Sequence, residues 1–176
     1  MELNEAQELI AGARLNRDQP QLWADLGCGE ALFSRALAHL LPAESRIICC
    51  DKEKPHFVRM TEAGVSLEFE QLDFEKALLQ EKLDGVLMAN ALHYASDPQE
   101  TLSRWQAILK PGGYFLCIEY DTKHANRWVP FPLSVKNLEQ LLHKLGAREI
   151  QKLGERKSLY GAKMYALMCK FASKPD

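Results

Sequence analysis

Apolar positions along the chain fall into short runs separated by stretches of helical spacing. The runs Leu22–Leu26, Arg46–Cys50, Ser66–Gln71, Gly85–Ala89 and Tyr114–Glu119 read as strands. Ile47-Ile48-Cys49-Cys50 and Val86-Leu87-Met88-Ala89 are apolar on both faces, as strands of a parallel sheet covered by helices on each side must be. Between the runs, apolar residues three and four apart predict helices over Ala31–Leu41, about Pro55–Ala63, a short Glu75–Leu79, and Pro98–Leu109. Asp97-Pro98-Gln99-Glu100 marks the start of the last of these, with an N-cap, a proline at N1 and a glutamate at N3. A helix from about Asn4, its expected N-cap, to Leu15 precedes the first strand. After Ser134, an N-cap for a helix carrying Leu138, Leu141, Leu142 and Leu145, the alternation stops. Strands around Arg148–Lys152 and Met164–Lys170 follow, joined by the polar stretch Gly154–Gly161, and with no helix between them they pair antiparallel as a hairpin.

One strand-to-helix turn stands apart. In Trp23-Ala24-Asp25-Leu26-Gly27-Cys28-Gly29-Glu30-Ala31-Leu32-Phe33 an acid closes the strand, and two glycines at alternate positions leave the backbone bare. Such a turn at the carboxyl end of a parallel strand is where α/β proteins bind nucleotide-like ligands. A dinucleotide fingerprint requires a third glycine where Leu32 stands. Glu30 would repel a phosphate held at the helix start, and no phosphate P-loop occurs. The turn suits an adenosine ligand without phosphates.

Asp25-Leu26-Gly27-Cys28-Gly29 resembles the first motif of class I S-adenosylmethionine-dependent methyltransferases, with Ala31 in place of the motif's last glycine. Leu109-Lys110-Pro111-Gly112-Gly113-Tyr114 resembles that family's turn into its fifth strand. The resemblance runs in order from about Gln21 to Phe171. It implies an α/β, Rossmann-like fold: a seven-stranded, mostly parallel sheet with an antiparallel C-terminal hairpin and helices on both faces. It also implies S-adenosylmethionine as cofactor, S-adenosylhomocysteine as product, and methyl transfer by in-line displacement. The expected organisation is a lid helix in residues 1–20, one methyltransferase domain over 21–172, and a tail, 173–176. An enzyme using NAD(P), or a cofactor-binding partner without turnover, are the competing readings.

Carried onto this sequence, the resemblance makes Asp25, Gly27, Cys28 and Gly29 the cofactor turn and Asp51 the acid for the ribose hydroxyls; Asp51 also reads as an N-cap for the next helix. Lys52 lies near the adenine edge or in solvent. Asp73 matches the acid that accepts from the adenine amino group, and Phe74 either stacks on the ring or belongs to the core. Asn90, in Asn90-Ala91-Leu92-His93-Tyr94, matches the position beside the cofactor's methionine end. The prolines of the amino-methylating N-P-P-[YF] motif are missing here.

Displacement at a sulfonium needs alignment and exclusion of water, and needs a base only where the nucleophile must lose a proton. Candidates lie after the fourth and fifth strands. His93 is either a base or a structural histidine. Glu119 and Tyr120 form the facing wall, Glu119 also reading as a group for a cationic substrate or a backbone cap. Tyr94, Arg127 and Trp128 are candidate substrate contacts. Asn126-Arg127-Trp128-Val129-Pro130-Phe131-Pro132 reads equally as a clamp and lid or as a rigid connection. The N-terminal helix, with Arg14 and Arg17 near its end, reads as a lid or as flat packing.

Composition adds little. Hydrophobic residues make up 47% and charged residues 26% of the 176, with a formal net charge of -2. That balance gives no electrostatic footprint for nucleic acid or membrane, which leaves a small-molecule acceptor as the default. No signal-peptide pattern or long apolar run is seen. The five cysteines form no C-x-x-C pair and no zinc spacing, so no metal is expected; they read as buried thiols in a reducing, cytoplasmic setting.

Overall fold

Strands that are apolar on both faces must be covered on both, and the fold does this with one central sheet. The structure, a computed structural model, describes residues 1–157 and 163–171. The expected tail Ser173–Asp176 and the end of the connection up to Gly161 lie outside the described residues. Eight strands are seen among them: β1 (Leu22–Leu26), β2 (Arg46–Asp51), β3 (Arg59–Glu62), β4 (Val65–Gln71), β5 (Leu83–Ala89), β6 (Leu109–Tyr120), β7 (Ala147–Lys157) and β8 (Lys163–Phe171). Their order is β3-β4-β2-β1-β5-β6-β8-β7. The pairs β4–β2, β2–β1, β1–β5 and β5–β6 are parallel, while β8 runs antiparallel between β6 and β7. Strand order reverses between β1 and β5, which opens a crevice at their carboxyl ends.

Helices α1 (Leu3–Ile10), α2 (Leu32–Ala38), α3 (Pro98–Gln106) and α4 (Val135–Lys144) cover the sheet. One face packs Ala24, Ile48, Cys50, Met88 and Cys117 against Leu102, Trp105, Leu138 and Leu142 of α3 and α4. The other packs Trp23, Ile47, Cys49, Leu87 and Leu116 against Ala6, Leu9 and Ile10 of α1 and against Phe33 and Leu37 of α2. All five cysteines are buried and free. No helix of the described residues is long and apolar enough to cross a membrane.

The helix expected over Pro55–Ala63 is absent, and β3 stands in its place. Ala63 (φ 50°) and Gly64 (φ 79°) form a two-residue hairpin turn, of the kind that suits the twist of antiparallel strands. It pairs Met60 with Leu67 and Arg59 with Glu68, and the Arg59 guanidinium donates to Glu68 at 2.6 Å. The sheet therefore has eight strands rather than seven. Glu75–Leu79 is a turn rather than a helix. The first helix begins earlier than expected, capped at Glu2, whose N–H donates to the Glu5 carboxylate at 2.8 Å, and it ends at Ile10. Its first turn reaches the carboxyl end of the sheet: Glu5 pairs with Arg156 at 2.7 Å, Arg156 lies opposite Met164, and Met164 lies opposite Tyr120. Arg14 and Arg17 follow toward the opposite end, where Asn16 N–H donates to the Tyr114 hydroxyl.

Close packing of β1 on β5 depends on Gly85. A Cβ there would sit 2.5 Å from the Trp23 indole, which is fully buried, stacked on Tyr114 and donating to Gln21 at 2.8 Å. Gly85→Ala should therefore cost about 2 kcal/mol in denaturant unfolding, the usual range for overpacking a core. An unchanged midpoint would show that the indole can move aside.

Candidate active site

The glycine turn hangs from β2. Gly27 and Cys28 N–H both donate to the Cys50 carbonyl, at 2.8 and 3.0 Å, and Gly29 N–H donates to Asp51 Oδ2 at 2.9 Å. Gly27 (φ 72°) and Gly29 (φ 50°) take left-handed conformations. They do different work. A Cβ on Gly27 would lie 2.7 Å from the Ala91 Cβ, whereas one on Gly29 would meet nothing within 4 Å. Gly27 thus closes the turn against the segment after β5, and Gly29 faces open space. Ala31, at the motif's last glycine position, is also left-handed (φ 61°) and caps α2.

Asp51 and Asp25 have opposite surroundings. The half-buried Asp51 carboxylate accepts from Gly29 and, through Oδ1, from Glu53 N–H at 3.1 Å. No helix follows β2, so the helix-capping role considered for Asp51 does not arise. Asp25 is buried, accepts from the Ser34 hydroxyl at 2.5 Å, and keeps Oδ1 without a partner among the described residues. Burial, with the Asp51 charge adding to it, pushes its carboxyl up to about 7 against the pull of Ser34.

The other expected contacts gather on either side. Lys52 Nζ lies 3.4 Å from Asp73 Oδ1 and 3.9 Å from Glu75. Burial would raise the Asp73 carboxyl, but Lys76, the Glu75 N–H and Lys52 outweigh it and hold the group below its ordinary range. Phe74 is buried with its ring edge against Gly27, and its carbonyl accepts from the Trp105 indole at 3.0 Å. Asn90 is left-handed (φ 53°), donates its N–H to the Ile118 carbonyl at 2.8 Å, and has a buried Oδ1 with no partner among the described residues.

Beside Asn90 a cavity of about 560 Å³ opens. Asn90, His93, Tyr94 and Tyr120 line one side, and Thr122, His124, Asn126, Trp128 and Val129 the other. His93 sits on a single 3₁₀ turn, Leu92–Tyr94, and is buried. Its Nδ1 and the Glu119 Oε2 are 2.6 Å apart, and its backbone N–H donates to Glu119 Oε1 at 3.1 Å. Both oxygens of the fully buried Glu119 are thus committed to one residue. Arg127 is not among the lining residues; its guanidinium lies 5.3 Å from the centre of the Trp128 ring. Asn126 and Val129 belong to the stretch read as a clamp and lid or as a rigid connection; Thr122 and His124 were not singled out from the sequence. Their signal was positional: they belong to the long connection leaving the carboxyl end of β6.

Comparison with known proteins shows the family of the chain. A family model described as a methyltransferase domain matches residues 24–117, more than half of the chain. The chain belongs to this methyltransferase family. S-adenosylmethionine is its cofactor, and a solved relative in fold, the Burkholderia thailandensis 1,6-didemethyltoxoflavin-N1-methyltransferase, holds S-adenosylhomocysteine. That structure is 18% identical with a TM-score of 0.70, covering 97% of this chain and 78% of the other. The CurJ carbon methyltransferase is 17% identical with a TM-score of 0.65, over 91% and 50% of the two chains. Among curated proteins, a highly reducing polyketide synthase of Alternaria alternata is 26% identical over 125 residues, 71% of this chain. The methyltransferase spans 2% to 4% of the length of the curated relatives it matches.

The residues present fit the cofactor. A bare turn faces open space at Gly29, a carboxylate stands beside it, and two buried oxygens, of Asp25 and Asn90, flank the turn in want of donors. The raised Asp25 carboxyl also has a consequence for stability. Its contribution is complete below the unfolded value near 4 and is lost as pH rises through about 7. Asp25→Asn should therefore remove a decline of at most about 4 kcal/mol between those limits. Unfolding by urea across that pH range, for both proteins without cofactor, measures it; parallel curves would contradict the assignment.

Proposed function

We propose that this methyltransferase acts on a small-molecule acceptor that must lose a proton as it attacks, with His93 as the general base. The observation that carries this reading is the buried His93–Glu119 pair at the wall of the cavity. With Nδ1–H donating to Glu119, the tautomer leaves the lone pair on Nε2, free to take a proton from an acceptor. Glu119 orients the ring through one hydrogen bond, holds the His93 backbone through a second, and offsets the charge that forms when Nε2 takes the proton. A ready nucleophile such as an amine would have no use for so costly a buried pair. A carbon acid, such as the carbon between two carbonyls, is the acceptor we favour. The likeness to a carbon methyltransferase and to polyketide synthases supports this choice.

The bound cofactor supplies an electrophilic methyl group on a sulfonium. Asp51 holds the ribose hydroxyls with the lone pairs that Gly29 and Glu53 leave over. Asp73 and Lys52 border the adenine, and Phe74 backs the turn. Asn90 Oδ1 and Asp25 suit a cationic amino group, whose N–H donors would meet unpartnered oxygens. Tyr94, Tyr120 and Trp128 enclose the acceptor and keep water from the reacting centre. The first turn of α1 closes the same end of the sheet.

Two measurements test these roles. His93→Gln should lower kcat toward a 1,3-dicarbonyl acceptor by about 10²- to 10⁴-fold and leave the affinity for S-adenosylhomocysteine within a few-fold of wild type. Wild-type turnover in that variant would remove the base. Asp51→Asn should weaken S-adenosylhomocysteine binding by roughly tenfold or more, as loss of a charge-assisted hydrogen bond does. A titration matching wild type would move the ribose elsewhere.

A further inference from the structure

Five large hydrophobic residues are exposed among the described residues: Met1, Val58, Tyr94, Trp128 and Phe131. Two of them line the cavity, and a third is tied by its backbone to a lining residue. Tyr94 (47% exposed) and Trp128 (71%) are lining residues, and Phe131 (44%) follows them on the connection to α4, its N–H donating to the His93 carbonyl at 3.0 Å. A surface that gathers its exposed aromatic rings at one opening, continuous with a cavity, is a binding surface.

The rings are also held in place rather than left to collapse. Asn126 Oδ1 accepts from the Trp128 N–H at 2.8 Å and from the Val129 N–H at 3.0 Å. The Arg127 guanidinium lies over the indole face, and Pro130 and Pro132 stiffen the chain on either side of Phe131. Further in, no lysine, arginine, aspartate or glutamate among the described residues lines the cavity. The interior therefore favours an uncharged reacting end, and the rim favours apolar substance outside it.

We infer that Tyr94, Trp128 and Phe131 form a second subsite, a shelf for an apolar chain or ring that continues the acceptor beyond its reacting carbon. The acceptor class is then an uncharged carbon acid bearing an extended apolar tail. This rests on the reading of the cavity as the acceptor site, and it sets specificity by tail length rather than by the reacting group. A methylene buried on both sides improves binding about fourfold; one laid on an open shelf gains roughly twofold.

The chain contains three tryptophans, of which Trp23 and Trp105 are fully buried. Acrylamide quenching of tryptophan fluorescence therefore reports on Trp128. Acetylacetone and its homologues with one alkyl arm lengthened to butyl and hexyl, added with S-adenosylhomocysteine, should protect Trp128 with affinity rising about twofold per methylene. Phe131→Ala should flatten that rise with Trp128 still in place as reporter. Trp128→Ala should flatten the same rise in KM for methyl transfer while leaving S-adenosylhomocysteine affinity unchanged. An affinity independent of arm length, an undiminished rise in Phe131→Ala, or no protection by any homologue would overturn the shelf. Protection that grows with arm length in His93→Gln, beside wild-type protein that methylates none of the series, would retain the shelf and remove the base chemistry.

Discussion

The Cys50 carbonyl receiving two successive amides, those of Gly27 and Cys28, is the constraint on which the cofactor half of the site depends. A carbonyl at the end of a parallel strand has no further ladder partner, and here it is satisfied by the turn that leaves the neighbouring strand. Two glycines are required because the chain must reverse into left-handed backbone twice within three residues. One of them meets Ala91 and the other meets nothing. The same register sets Asp51 under the Gly29 amide, so strand pairing, turn and carboxylate are one construction. Loss of the β1–β2 register would dismantle all three together.

Asp25 shows what that construction costs. It lies under the turn on the α2 face, among Cys49, Ser34 and the start of α2, and only one of its oxygens is partnered. A buried carboxylate half satisfied is a local conflict of the kind that concentrates at functional sites. The hydrogen bond with Cys49, followed by burial and the Asp25 charge, pushes the thiol of Cys28 in the turn well above its ordinary range. These neighbours keep the turn free of competing thiolate charge. The His93–Glu119 pair is a second buried ionisable group, but there both carboxylate oxygens are used. The first site is left open to donors and the second is closed on itself.

The order of β and α units, the two-sided apolar strands and the Gly27–Gly29 turn were readable because each follows from local pattern: period, glycine placement and an acid at a strand end. Asp97 capping α3 and Ser134 capping α4 were readable for the same reason, and both side chains accept from the backbone three residues on. The hairpin at Ala63–Gly64 was not. Phe57, Val58 and Met60 satisfy a helical period, and the strand is decided by the Ala63–Gly64 turn and by pairing with β4, Met60 opposite Leu67 and Arg59 opposite Glu68. That choice is made across strands, out of reach of local spacing. Likewise His93 and Glu119 were separate candidates, because a contact between residues 26 apart exists only once β5 and β6 pair in register. Arg127 reads from sequence as part of a clamp or of a rigid connection, and its guanidinium lies 5.3 Å from the centre of the neighbouring Trp128 ring.

The two halves of the site are held by different means. The cofactor half is backbone, fixed by strand register. The proposed acceptor cavity sets the segment after β5 against one connection between β6 and α4, tied down at its ends and middle: Asp121 accepts from Val135 N–H at 3.0 Å, the buried Tyr165 hydroxyl donates to the Leu133 carbonyl at 2.8 Å, and Phe131 reaches the His93 carbonyl. Between those ties Thr122, His124 and Trp128 project without taking part in the core. Side chains there can change while the turn, Asp51 and the buried pair stay as they are. On the proposed reading, a fold divided in this way keeps one cofactor and changes its acceptor by substitutions in that connection, because no part of the sheet depends on the side chains it presents.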